Sequence, residues 1–111
     1  MRQKIIAENY TDDDGNPAGG YARGDGIMIG WQNGPLSFTD ENGETQRRKP
    51  NGAFVEGVLE AALQRLRHYQ LSKFACQENA DAIAKIEEAL HCLDKRTADR
   101  ESRGVEGTHQ V

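Results

Sequence analysis

Two runs of apolar residues, each recurring at steps of three and four and separated by only a few positions, constrain this chain more than any other feature. Val55, Val58, Leu59, Ala62, Leu66 and Tyr69 make the first stripe, and Ala80, Ile83, Ile86, Leu90 and Leu93 the second. Pro50-Asn51-Gly52 precedes the first and offers Asn51 as a cap, because its side-chain oxygen can accept from a backbone donor left unpaired in the opening turn. The spacing predicts a helix to about Leu71, a turn at Ser72-Lys73-Phe74-Ala75, and a second helix opening near Cys76. Lys85, Glu87, Glu88 and Lys95 take the wet side of the second helix, which should end near Arg103 because Gly104 can supply a left-handed stop. Helices joined by so short a connection pack antiparallel.

The first fifty residues follow a different period. Gln3 to Ala7 reads as a short strand, and Asp12 to Gly20 is a run of turn formers expected to be a mobile loop outside any regular element. Gly26 to Gln32 alternates Ile27, Ile29 and Trp31 with Met28, Gly30 and Gln32, as a strand with one buried face does. Leu36 to Thr39 leads into Asn42-Gly43, a dipeptide suited to a tight hairpin because both positions tolerate positive φ. The expected fold class is α+β, with a small N-terminal antiparallel sheet followed by a C-terminal antiparallel two-helix hairpin. We read residues 1–111 as a single domain, 1–50 forming the sheet part and 51–111 the hairpin with its tail.

Composition narrows the functions open to such a chain. A net charge of −4 opposes a sequence-independent grip on DNA or RNA, which needs a basic patch, but leaves room for a few local arginines to hold a small anion. No apolar run reaches membrane-spanning length, and the start, Met1 to Ala7, lacks the apolar stretch of a signal peptide, so the expected location is the cytoplasm. Cys76 and Cys92 lie sixteen residues apart on one predicted helix, roughly 24 Å along its axis, which excludes a disulfide between them and leaves two free, partly buried thiols. A chain of 111 residues has a modest core, so self-association is the expected way to cover an exposed helical face.

Four polar residues stand out on the hairpin. Tyr69 is either a core ring with its hydroxyl at the surface or a platform on which a base stacks. Asn79, in the first turn of the second helix, is either a partner for the local backbone or a ligand amide. Arg96 and Arg100, four residues apart, are solvated, or paired with Asp94 and Asp99, or a double fork for a phosphate group. Arg47-Arg48-Lys49 is the densest positive run; Arg47 and Arg48, just ahead of a helix amino end, are secondary candidates for phosphate contact. Gly24-Asp25-Gly26 with Gly30 lacks the spacing of a dinucleotide-binding loop, and Arg23-Gly24-Asp25 is an integrin-like triplet in a chain with no export signal.

Taken as one string, Phe54-Val55-Glu56, Arg65-Leu66 with Tyr69-Gln70, Lys73 to Cys76 with Glu78-Asn79, Glu88-Ala89-Leu90, Arg96-Thr97 with Arg100, and Arg103 to Thr108 form a spaced signature. It resembles that of the phage Thoeris anti-defence sponge family, small proteins that sequester the cyclic nucleotide signals of bacterial immunity. The resemblance covers about Phe54 to the C-terminus and is weaker ahead of it, where it is limited to Trp31 to Pro35. It implies capture of a cyclic ADP-ribose isomer made by TIR-domain enzymes, in the cytoplasm of the infected host, with no catalysis, cofactor or metal. It further implies dimers that associate into hexamers as trimers of dimers, and in some members a separate site for cyclic di- or trinucleotides. By motif position Tyr69, Asn79, Arg96 and Arg100 fall on the family's signal-binding residues, with Tyr69 standing where the aromatic is often Phe.

Spacing then sets the architecture of such a site. Asn79 and Arg96 are seventeen residues apart on one helix, about 25 Å along the axis, too far for one small nucleotide to touch both. An antiparallel two-fold pair would place the turn of one protomer beside the far helix end of its partner and create two equivalent pockets. Two rival readings remain: a helical-hairpin dimer acting as an interaction module, repressor or adaptor, and an enzyme. His68, His91 and His109 could serve an enzyme as bases, but no nucleophile elbow, metal-ligand spacing or carboxylate pair accompanies them.

Overall fold

A computed structural model describes all 111 residues and gives the order β1 (Ile6–Thr11), β2 (Pro17–Gly24), β3 (Ile27–Gly30), β4 (Ser37–Thr39), β5 (Thr45–Arg47), α1 (Val55–Gln70), α2 (Gln77–Ser102). The class is α+β, antiparallel strands followed by two helices. The chain divides into two compact units: residues 1–54 with 105–111, and residues 55–104.

The strand unit holds two antiparallel sheets, β1-β2-β3 and β4-β5. Ile27 and Ile29 are half-buried while Met28 and Gly30 are exposed, the alternation expected of β3. The first strand lies further along than Gln3–Ala7, and the run Asp12–Gly20 is only partly a loop, because Pro17 to Gly20 open β2. Glycine makes that possible. A Cβ at Gly20, whose φ is +134°, would stand 2.2 Å from the Glu8 carbonyl oxygen and 2.9 Å from Asn9 Cα, so the strands pair closely here, beside a register shift between Asn9 and Thr11.

The two hairpin turns share one construction. Asp12 Oδ1 accepts from the backbone N–H groups of Asp14 and Asn16, and Asp40 Oδ1 accepts from those of Asn42 and Glu44, all at 2.9 Å. Each turn closes through a left-handed glycine, Gly15 or Gly43, whose N–H bonds the aspartate carbonyl at 3.1 Å. Asn42 keeps negative φ, so Asn42-Gly43 is not a hairpin turn with both residues left-handed; the aspartate's acceptors organise five residues instead.

Asn51 does not cap α1, which starts at Val55. Its side chain binds both backbone groups of Asn33, while Gln32 Oε1 accepts from the N–H groups of Asn51 and Gly52. The segment around Ala53 is thereby held beside Trp31, with Gln32 N–H to Ala53 O at 3.0 Å and Ala53 N–H to Gly30 O at 2.7 Å.

In the helical unit α1 and α2 form an antiparallel hairpin, marked by the Arg67–Glu87 approach at 4.0 Å across it. Val58, Leu59, Leu63 and Leu66 line the α1 side of the seam, and Leu63, 2% exposed, is the one buried apolar residue. Ala80, Ile83, Ile86, Leu90 and Leu93 line the α2 side. Arg103 ends α2, followed by left-handed Gly104, as the sequence predicts. Cys76 and Cys92 are free, as expected, but exposed and not partly buried, since both lie off the seam.

Candidate functional site

The turn between the helices is held by side chains on its flanks. The Gln70 amide brackets Cys76, donating to its carbonyl at 3.1 Å and accepting from its N–H at 3.0 Å. Ser72 Oγ donates to Tyr69 O at 2.6 Å and accepts from the Phe74 N–H at 3.1 Å. These bonds fix Tyr69, in the last turn of α1, and Asn79, in the first turn of α2, at the same end of the hairpin.

Tyr69 is off the seam and 38% exposed, so its ring is not part of the core. The Arg65 guanidinium stands 5.0 Å from its ring centroid, and Arg65 Nε donates to its hydroxyl at 3.2 Å. His68 is its tilted ring neighbour at 6.4 Å. Asn79 is half-buried and donates to the Phe74 carbonyl at 3.3 Å, a local backbone bond that leaves its side-chain oxygen unused. Cys76 at the N-cap provides no side-chain acceptor for the first turn of α2.

The far end of α2 separates the two arginines. Arg96 is exposed and makes no hydrogen bond or ion pair, because Asp99 is taken by Arg103 Nε at 3.1 Å. Arg100 extends the α2 seam through Leu90, Leu93 and Thr97 and is 9% exposed, with partners of its own. A guanidinium at that position is engaged within the fold. Arg96 is the fork presented to solvent.

The secondary candidates lie in the strand unit. Arg47 is exposed at the end of β5, and the Arg48 guanidinium covers the Phe38 ring at 4.3 Å. An open groove of about 550 Å³ in the same unit is lined by Gln3, Lys4, Ile6, Arg23, Gly24 and Asp25, and includes none of the candidates. No cluster of His, Cys, Asp and Glu is placed to hold a metal ion, and no helix is long and apolar enough to cross a membrane.

Within one chain, then, the structure brings Tyr69 and Asn79 to the turn, with Arg65 beside the ring, and leaves Arg96 and Arg100 towards the opposite end of α2. Arg65 is the neighbour that periodicity alone does not single out. Its spacing of four from Tyr69, on one helix face, is the signal that could have found it.

Comparison with known proteins adds two findings. The sequence matches the family described as Acb2/Tad1, hairpin domain, over residues 25–98, a span that begins ahead of Phe54 and contains Tyr69, Asn79 and Arg96 but stops short of Arg100. It is also 55% identical over 60 residues to "Thoeris anti-defense 1" of Bacillus phage SBSphiJ7, covering 54% of this chain and 42% of that relative. The matched segment is therefore less than half the length of the relative.

Proposed function

The chain belongs to the Acb2/Tad1 hairpin-domain family, and from that premise we propose that it is a phage anti-immune sponge. It binds a cyclic ADP-ribose isomer made by TIR-domain enzymes of the Thoeris defence and withholds it without cleaving it, in the cytoplasm of the infected host. Cyclic di- or trinucleotides are candidate ligands of a second site, with Arg47 as its exposed cation.

The observation that carries this reading is the pair of complementary half-sites at opposite ends of α2. One is an exposed ring with an amide, Tyr69 and Asn79; the other is the unpaired fork of Arg96, with Arg100 a turn further on. About 25 Å of helix separates Asn79 from Arg96, so a two-fold pair of chains completes two pockets, each combining the turn of one protomer with the far end of its partner. Stacking of adenine on the ring supplies roughly 1–3 kcal/mol, and the guanidiniums hold the pyrophosphate through charge-assisted bonds.

Association has its own support. Leu71 and Phe74, three residues apart at the turn, are 90% and 68% exposed in the single chain, apolar surface that a second protomer would cover. We propose a homodimer, with three dimers assembling into a hexamer. The same exposed turn supports a second reading, a helical-hairpin interaction module that holds no nucleotide.

The test mixes the purified protein with products of a TIR-domain enzyme, removes the unbound fraction and heat-denatures the remainder. Release of intact nucleotide is expected. An altered product would make the protein an enzyme, and no retained nucleotide would leave the interaction module.

A further inference from the structure

We propose that Arg65 is a ligand-binding residue, a phosphate contact supplied by the same helix as the stacking ring and aimed by the Tyr69 hydroxyl. The inference rests on the reading of Tyr69 as a base platform, and it adds a cation that motif position does not assign.

Three observations carry it. First, Arg65 and Tyr69 are one helical turn apart, and their contact has two points: Nε to the hydroxyl at 3.2 Å, and the guanidinium carbon 5.0 Å from the ring centroid. A single cation–π contact would let the guanidinium slide over the ring, whereas the second point fixes its direction.

Second, the charge of Arg65 is uncompensated. Arg67 approaches Glu87 and Arg103 binds Asp99, but no carboxylate lies within ion-pairing distance of Arg65. Third, only one of its five N–H donors is used. The four on its terminal nitrogens face no acceptor in the chain, and they form the fork that matches two oxygens of a phosphate.

The hydroxyl therefore has a task that a phenylalanine could not perform. It accepts from Nε, which takes up the side-on fork and leaves the end-on pair of terminal nitrogens free. A base against the ring and a phosphate against the guanidinium are two parts of one nucleotide, so ring and cation form a single recognition element within one protomer. Arg96 and Arg100 then approach the remaining anionic charge from the partner side of the pocket.

The experiment is equilibrium binding of the cyclic ADP-ribose isomer produced by a TIR-domain enzyme, measured for the full-length protein and for Arg65→Gln, Tyr69→Phe and the double variant. Glutamine has nearly the helix propensity of arginine, and circular dichroism at unchanged amplitude confirms the hairpin in each. Arg65→Gln should weaken binding about 10- to 100-fold, the loss expected for a hydrogen-bonded charge contact, and should make the remaining affinity less sensitive to salt. Tyr69→Phe should weaken binding when Arg65 is present and have no further effect in the Arg65→Gln background. Unchanged or tighter binding by Arg65→Gln would overturn the proposal, showing that the guanidinium merely shields the ring. An equal effect of Tyr69→Phe in both backgrounds would also overturn it. Failure of the wild-type protein to bind would instead overturn the sponge reading, and this inference with it.

Discussion

Asn51 and Asn33, eighteen residues apart, are joined by two hydrogen bonds at 2.8 Å: the Asn51 side-chain oxygen accepts from the Asn33 N–H, and its amide nitrogen donates to the Asn33 carbonyl. A side-chain amide here serves the donor and acceptor of a backbone that lies beyond the end of β3, where Asn33 also forms an isolated antiparallel bridge with Ala18. Gln32 completes the lock by accepting from the backbone of Asn51 and Gly52. Asn51→Ala should therefore cost about 1–3 kcal/mol, since it removes two hydrogen bonds at once. Asn51→Asp should be at least as damaging, because it sets a carboxylate oxygen against the Asn33 carbonyl. Trp31, the one tryptophan of the chain, adjoins this lock, and its emission through a urea titration is the measurement.

Gly52 lies in the same lock and carries the tightest constraint within it. A Cβ there would stand 2.5 Å from both the Trp31 carbonyl carbon and oxygen, and 2.7 Å from the Gln32 nitrogen. All three are backbone atoms and cannot swing aside. Gly52→Ala should therefore separate the Trp31–Ala53 bridge and destabilise the strand unit by about 1–3 kcal/mol, seen as a lowered urea midpoint and a shifted Trp31 emission.

What was legible in the sequence followed from periodicity. Both helices, their turn and the Gly104 stop could be read from three- and four-residue spacing, although of the first stripe only Val58, Leu59 and Leu66 enter the seam, while Val55, Ala62 and Tyr69 are exposed. Leu63, the most buried apolar residue, was missed because Leu59 and Ala62 already fitted the stripe, and a helix offers more than one face of nearly equal apolarity. Gly19 and Gly20 read as turn formers, yet Gly20 serves a close strand approach, which depends on a partner that local sequence does not reveal. Asn51 had the composition of a cap and became a lock for the same reason. At the candidate site, residue types were legible but environments were not. Arg96 and Arg100 look alike as a pair four apart, and only the folded chain shows that one is buried and the other exposed.

The paired turns should make the strand unit sensitive to acid. The Asn16 backbone N–H, then the Asn16 side chain, the Asp14 N–H and the charge of His109, hold the Asp12 carboxyl below its ordinary value. The Gln46 side chain, then the Glu44 and Asn42 N–H groups, do the same for Asp40. A carboxyl whose folded pKa is depressed stabilises fully above its unfolded value, and that contribution is lost as pH falls through the folded value. The unit should thus melt lower as pH drops below about 4. Asp12→Asn with Asp40→Asn should be less stable than wild type at neutral pH, with the difference narrowing towards pH 2. A difference that stays constant across thermal melts from pH 7 to 2 would show that these turns do not depend on the charge.

The two arginines of α2 should respond differently to removal. Arg96 is exposed and unpaired in the chain, so Arg96→Ala should alter stability by no more than about 0.5 kcal/mol while abolishing signal capture. Arg100 is buried and engaged, so Arg100→Ala should cost about 1–3 kcal/mol of stability in addition to any effect on binding. Thermal melts, sizing of the assembly and the nucleotide-retention assay separate the two effects. Full capture by a folded, assembled Arg96→Ala protein would remove Arg96 from the site.

Complementation between protomers tests the proposed shared pocket directly. Asn79→Ala disables the turn end of every site and Arg96→Ala the far end, so each variant alone should retain no signal. In a mixed dimer one pocket combines the intact turn of the Arg96→Ala protomer with the intact helix end of the Asn79→Ala protomer, while the other pocket carries both defects. If the two variants are refolded together in equal amounts, half of the dimers are mixed and each contains one working pocket in two. Recovery should therefore be about a quarter of wild-type capacity, as two-fold symmetry requires, at wild-type affinity. A pocket built within one chain would give no recovery at any mixing ratio, since every protomer in the mixture carries a defect. Nucleotide retained per protomer, measured across a series of ratios, distinguishes the two arrangements: sharing between protomers gives a maximum at equal proportions, and a pocket within one chain gives a flat line at zero.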